Sequence, residues 1–169
     1  WSMAHQARGQ ATDTAIAIDA GQSSARRVVD TRISMRAEGS MPQVSGELVG
    51  TPTGGWQVLV YVDGRGLLFD GPRWMERITR SDAFLAVDRH PGIHFHSGKF
   101  ADAALRDGGP LDGELTLRGK TLPVSFQLLP STCARPGRDC DIQVQGTISR
   151  HAFGMHAYRT LVKDDVDFD

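Results

Sequence analysis

The run LDGELTLRGKTLPVSFQL (residues 111–128) alternates with period two. Leu111, Gly113, Leu115 and Leu117 interleave with Asp112, Glu114, Thr116 and Arg118. Past a short polar turn, Val124, Phe126 and Leu128 interleave with Pro123, Ser125 and Gln127. Such alternation puts apolar side chains on one face of a strand and polar ones on the other. Gly119 takes positive φ without penalty, so the two runs form a predicted hairpin. Its apolar face needs a cover: a second sheet, a helix, or a molecule that is not protein.

Working outward, Trp56, Val58, Val60 and Val62 share one face of residues 56–62, with Leu59 and Tyr61 on the other. Both faces are apolar, which predicts burial on both sides or a helix covering the outer face. Further strands are predicted at 14–18, 24–33, 43–49, 93–96, 142–148 and 162–168, with Gly46 as a candidate bulge. Residues 72–80 depart from period two. Pro72 suits the first helical position, Trp74 and Ile78 share a face, and Glu76 and Arg80 pair four apart, so a short helix is predicted to end near Ser81. Residues 1–13 are polar and aperiodic and read as a flexible arm; residues 14–169 read as one domain, without repeat or linker. Many short antiparallel strands and one small helix indicate an all-β protein. An antiparallel β-barrel of about eight strands would hide the sheet edges, with a β-sandwich as the alternative.

The 169 residues suffice for a real core. Lys and Arg total 19 against 20 Asp and Glu, a formal net charge of −1. That balance gives no electrostatic reason for a nucleic-acid or anionic-membrane partner. No apolar run approaches a transmembrane length, so an integral membrane protein is not expected. The opening WSMAHQARGQ lacks the apolar segment of a secretory signal, so export would need a signal peptide already removed. Cys133 and Cys140 flank ARPGRD, a turn-like loop. Two readings stand: a disulfide contributing roughly 2–3 kcal/mol, which implies an oxidising compartment such as the periplasm, or two free thiols in a reducing one.

Chemistry has thinner support. His94 and His96 lie two apart on one strand face, a spacing that suits two metal ligands, with His90, His151 or His156 as a third. A zinc or haem protein is therefore an alternative, although no carboxylate or cysteine pattern completes a metal motif. Ser97 follows His96 without a nucleophile elbow. The GKT at Gly119 sits in a hairpin, not a phosphate loop. The closing KDDVDFD lacks the spacing of a calcium loop.

Several segments, in order, resemble the YceI-like family. DGELTLRGKTLPVSF (112–126) resembles its G-x-L-T-I-x-G-x-T-x-P-V hairpin. FLAVDRHPGIHFHSGKF (84–100) is similar to F-F-D-V-x-x-Y-P-x-I-x-F-x-S, and GTISRHAFGM (146–155) to I-N-R-x-D-F-G-M. IDAGQSS (18–24), QVSGEL (43–48) and the closing LVKDDVDFD follow the same order. Asp19, Ser23 and Arg150 are kept; Gln22, Met75, Ile78 and Ala152 stand where the family has His, Arg, His and Asp.

The resemblance implies an extended lipocalin-like antiparallel barrel with one short helix, periplasmic or secreted. It also implies an apolar tunnel for a polyisoprenoid, a quinone or another long-chain amphiphile. The expected lining is Val58, Val60, Phe95, Leu115, Leu117, Val124, Phe126 and Ile148, with Trp74 and Phe84 closing one end. For each position the rival reading is a plain core residue of a filled barrel. Arg150, and after it Arg80, is expected to fork a phosphate-like head group, against a solvated arginine or a strand-end ion pair. This carrier reading calls for no cofactor and no catalytic residue. A sandwich-type interaction module without ligand is the remaining alternative, and nothing in the pattern separates monomer from homodimer.

Overall fold

The computed structural model describes residues 15–18, 25–31, 36–158, 160 and 162–169, with side chains from residue 39 onward. Eleven strands form one antiparallel sheet: β1 (Ala15–Ile18), β2 (Ala25–Thr31), β3 (Arg36–Met41), β4 (Val44–Gly50), β5 (Trp56–Asp63), β6 (Leu68–Asp70), β7 (Gly92–Ser97), β8 (Gly109–Leu117), β9 (Lys120–Leu128), β10 (Val144–Ser149) and β11 (Val162–Phe168). Their order is β1-β4-β5-β7-β8-β9-β10-β11-β2-β3-β6. Two helices accompany them, α1 (Arg73–Arg80) and α2 (Asp102–Asp107).

The hairpin at 111–128 forms as expected. Arg118 (φ 54) and Gly119 (φ 71) make a two-residue turn with both φ positive, which matches the right-handed twist of the flanking strands. Leu117 therefore faces Lys120, and the register runs without interruption back to Gly109 opposite Leu128.

Four expectations change. The pairing is an open order of eleven strands, because no ladder joins β1 to β6 among the described residues; the predicted closed ring of about eight strands is not given by the ladders. Chain continuity accounts for the larger number. β3 runs into β4 across Pro42 and Gln43 alone, and β5 reaches β6 through a 3-10 turn at Gly64–Gly66. One long bent hairpin thus contributes two pairings, β4 with β5 and β3 with β6. Secondly, α2 is an additional helix, too short for a helical period to stand out. Thirdly, β4 pairs with β5 in register throughout, Gly46 opposite Val60, so the bulge expected there is absent; the register shift lies instead between Val162 and Val166, where β11 meets β2. Fourthly, β5 is not buried on both sides: Leu59 is 40% exposed.

The helix at α1 ends where expected. The Ser81 amide donates to the Arg77 and Ile78 carbonyls, and Arg80 Nε lies 3.2 Å from Glu76 Oε1. Among the described residues no helix is long and apolar enough to cross a membrane. Cys133 and Cys140 are disulfide-bonded, with Cα atoms 6.0 Å apart, in the loop between β9 and β10.

Apolar side chains from every strand with described side chains except β6 meet on one side of the sheet. Two glycines set how they pack. A Cβ on Gly113 would fall 2.8 Å from Phe95 Cε2, and one on Gly146 would collide with the Phe126 ring. The two rings rest in these gaps, 5.1 Å apart and tilted by 59°. Gly146→Val is expected to lower unfolding free energy in urea by roughly 1–3 kcal/mol, the usual cost of overpacking. In the background of Phe126→Ala the same change should cost clearly less, a coupling that a double-mutant cycle measures.

Candidate functional site on the inner face

Directly opposite residues of antiparallel strands share a face. Val60 opposes Phe95, Phe95 opposes Leu115, and Leu115 opposes Leu122. Gly113 opposes Val124, Leu111 opposes Phe126, and Ile148 opposes Val166. With Leu48 opposite Val58, the register puts all eight expected lining residues on one wall: Val58, Val60, Phe95, Leu115, Leu117, Val124, Phe126 and Ile148.

That wall is not uniformly covered. Phe95, Leu111, Leu115, Leu117 and Ile148 are buried. Val58, Val60, Leu122, Val124, Phe126 and Val144 are only partly buried, although they point the same way. β5 and β9 thus carry accessible apolar side chains, while β7 and β8 between them form a closed floor.

One end is packed shut. Met41, Val44, Val62, Leu67, Leu85, Val87, Phe153 and Met155 are all buried there. The space left between Phe84, Leu117, Ile148, Arg150, Met155 and Phe168 is about 20 Å³, which admits about one water molecule. Phe84 stacks on Tyr158 at 6.0 Å and lines this space from the loop after α1. Trp74 does not: it is 50% exposed, because no residue of α1 is buried and the helix turns this ring to solvent.

Arg150 is 1% exposed. Its Nε donates to the Lys163 carbonyl at 2.8 Å, Nη1 to Met155 and Ala157 at 2.6 and 2.8 Å, and Nη2 to Val162 at 3.0 Å. Its guanidinium also lies 5.5 Å from the Phe84 ring centre. The expected head-group fork is therefore occupied by backbone, and ties together the loop between β10 and β11. Arg80, the second choice, donates from Nη2 to the Leu67 carbonyl at 2.7 Å and pairs with Glu76.

Asp164 supports the same loop. Its carboxylate accepts from Ser149 Oγ at 2.7 Å and from the His151 amide at 2.8 Å. Burial raises its pKa, but these two hydrogen bonds, with the charges of His151 and Arg150, hold the carboxyl below the usual aspartate value.

The histidines lie on the other face. His94 opposes Tyr61 and Thr116, His96 opposes Leu59 and Glu114, and both histidines are exposed. His151 and His156 have ring centres 5.5 Å apart at the closed end. No group of three or more His, Cys, Asp or Glu side chains converges among the described residues, so the proposed triad is not assembled. Ser97 is buried on the inner side, accepting from the Val58 amide and donating to the Gly98 carbonyl, both at 2.8 Å. Sequence reasoning missed Leu122 and Val144 on the accessible wall and Phe168 at the closed end, although all three fit the period-two pattern of their strands.

The YceI-like domain model matches residues 17–169. The chain belongs to the YceI-like family. No protein with a curated description matches it. Solved structures share its fold. BcnA of Burkholderia cenocepacia is 18% identical, with a TM-score of 0.72 over 89% of this chain and 95% of that one. A polyisoprenoid binding domain from Saccharophagus degradans, implicated in plant cell wall breakdown, is 14% identical, with a TM-score of 0.62 over 90% and 93%. The YceI protein of Campylobacter jejuni is 17% identical, with a TM-score of 0.58 over 76% and 78%.

The family motif at 146–155 now has a physical meaning: Phe153 and Met155 plug the closed end, and Arg150 satisfies the carbonyls that their loop turns inward. Ala152, where the family has Asp, is exposed, and its carbonyl accepts from Lys120 Nζ at 2.6 Å. Asp19, Gln22 and Ser23 lie outside the described residues.

Two outcomes test the closed end. Arg150→Lys should destabilise the fold by about 3 kcal/mol or more, since several buried carbonyls lose their donor; urea unfolding measures this. A head-group role would instead weaken ligand binding at unchanged stability. Asp164, with its folded pKa depressed, contributes stability that is present above its unfolded pKa and lost as pH falls through its lower folded value. Acid unfolding of Asp164→Asn should accordingly show a shallower pH dependence in that acidic window, and little change in slope near neutrality.

Proposed function

We propose that this YceI-like chain is a non-catalytic carrier that holds the apolar tail of an amphiphile against the inner face of its sheet, within a lipocalin-like cup. One observation carries this: apolar side chains on β5 and β9 face inward yet keep accessible surface. In a filled core such positions are buried by their neighbours. Accessible apolar side chains on the inward face of a sheet supply the kind of surface that a small-molecule site uses.

The cup reading draws on chain continuity. β3 and β4 form one bent strand, with β1 paired to its one half and β2 to its other. Counting β3 with β4 and β5 with β6 as single bent strands leaves nine, and puts the β3–β4 strand near both ends of the order, which supports a cup. The polyisoprenoid binding of the Saccharophagus domain supports a chain-like hydrocarbon as the cargo class. The Cys133–Cys140 bond supports an oxidising compartment, the periplasm or outside the cell.

Purified without added lipid, the protein should release an amphiphile into organic solvent, detected by mass spectrometry, and should then take up a fluorescent alkyl probe. Val60→Trp should reduce uptake at least ten-fold with the thermal midpoint shifted by only a few degrees. Protein that is free of lipid in repeated preparations and does not take up the probe would remove the carrier reading.

A further inference from the structure

No residue of helix α1 is buried, and the helix lies against β6. It is held from its C-terminal end. Arg80 Nη2 donates to the Leu67 carbonyl at 2.7 Å, and the Leu85 and Val87 amides donate to the Thr79 and Arg80 carbonyls, both at 3.0 Å. Arg73 and Arg77 are four apart, and Trp74 and Arg77 three apart, so the three share one helical face. All three are exposed, while Met75, Glu76, Ile78, Thr79 and Arg80 are partly buried.

The whole-chain charge of −1 conceals a local excess of cations on this helix. Residues 64–81 carry Arg65, Arg73, Arg77 and Arg80 against Asp70 and Glu76. Arg65 is paired with Asp63 at 2.8 Å, and Arg80 with Glu76. Among the described residues no ion pair involves Arg73 or Arg77. That leaves two guanidinium groups against the carboxylate of Asp70. Beside them, Trp74 and Leu68 of β6, 59% exposed, are the most exposed large apolar residues among those described. An indole ring flanked by arginines is the make-up of an interfacial anchor: the ring settles at head-group level and the guanidinium groups fork phosphates.

We propose that the exposed face of α1 docks the protein on the surface of an anionic phospholipid bilayer. A protein partner suits this face less well, because a stable interface takes about 800 Å² from each side. With eight residues, α1 is only about 12 Å long, at about 1.5 Å per residue. A bilayer surface needs no matched patch, since each cation and each apolar ring adds its own increment. Docking through α1 goes beyond the carrier reading and is separate from it, because Arg73, Trp74 and Arg77 do not belong to the inner face of the sheet.

Flotation of the full chain with lipid vesicles tests this. Mixed phosphatidylglycerol and phosphatidylcholine vesicles should carry the protein upward at low salt, and phosphatidylcholine vesicles should not. Salt at about 0.5 M should release it. Each arginine near an anionic surface strengthens binding roughly five-fold, so Arg73→Gln combined with Arg77→Gln should weaken it about twenty-five-fold. Trp74→Ala should weaken it roughly ten-fold. Because these side chains are exposed, both variants should keep the thermal midpoint within a few degrees and take up a fluorescent alkyl probe in solution as the parent does. Three results overturn the docking face: no flotation with anionic vesicles, equal flotation with phosphatidylcholine alone, or flotation that both folded variants retain. Weakening in the arginine variant alone, with full competition by polyglutamate, overturns the bilayer in favour of an acidic protein. Flotation without probe uptake removes the carrier reading and leaves docking standing, and uptake without flotation does the reverse.

Discussion

The Arg118–Gly119 turn fixes which side of the sheet is apolar. A two-residue turn with both φ positive leaves β8 and β9 a single register, Leu117 opposite Lys120. Because side chains alternate with period two, a slip of one residue would carry Val124 and Phe126 to the face of His94 and His96. The same register extends through β7 to β5 and through β10 to β11, so one tight turn near the centre of the order aligns the apolar positions of six strands. Arg118 takes a conformation that costs a non-glycine residue roughly 1–2 kcal/mol, and its Nη1 reaches the Gly154 carbonyl at 3.3 Å. The turn is thereby tied to the loop that packs the closed end of the sheet's inner face.

That closure depends on a buried charge. Hydrophobic side chains alone do not close a loop whose carbonyls point inward, because each buried unpaired carbonyl costs about 1–3 kcal/mol. Arg150 answers four of them from one planar group. Lysine has no such fork. The residue that looked like a ligand clamp therefore acts on the protein itself, and the family motif around it reads as architecture. Asp164 complements it from β11, binding Ser149 and the His151 amide.

Period two made the all-β class, the hairpin and the lining positions legible, because burial on one face is written directly into alternation. It did not reveal β3, whose RAEGSM mixes charge, glycine and no apolar rhythm, nor β6, three residues long. Both are halves of strands that bend, and a bend interrupts the count. Residues Leu59 and Tyr61 misled in the opposite sense: apolar side chains on an outer face suggested double burial, yet Leu59 packs beside exposed histidines. Trp74 was misassigned because helical spacing names a face without saying what that face meets. Arg150 was misread because neither spacing nor charge reveals that the loop after β10 folds back over it.

A filled barrel and a hollow one share the same alternation, but they differ in side-chain volume. Among the partly buried inward residues, β5 contributes Val58 and Val60, β9 Val124 and β10 Val144. Gly113 and Gly146 let the Phe95 and Phe126 rings settle back against the wall. At the closed end the inward residues are Met41, Leu67, Leu85, Leu117, Phe153 and Met155. Longer side chains at the valine positions would cover their neighbours and add apolar burial worth about 0.8 kcal/mol per methylene. Against a typical net stability of about 5–15 kcal/mol, several such positions are a substantial stabilisation not taken up. Valines on the wall beside large residues at the plug are what a wall needs if a guest chain, and not the protein, is to complete its packing.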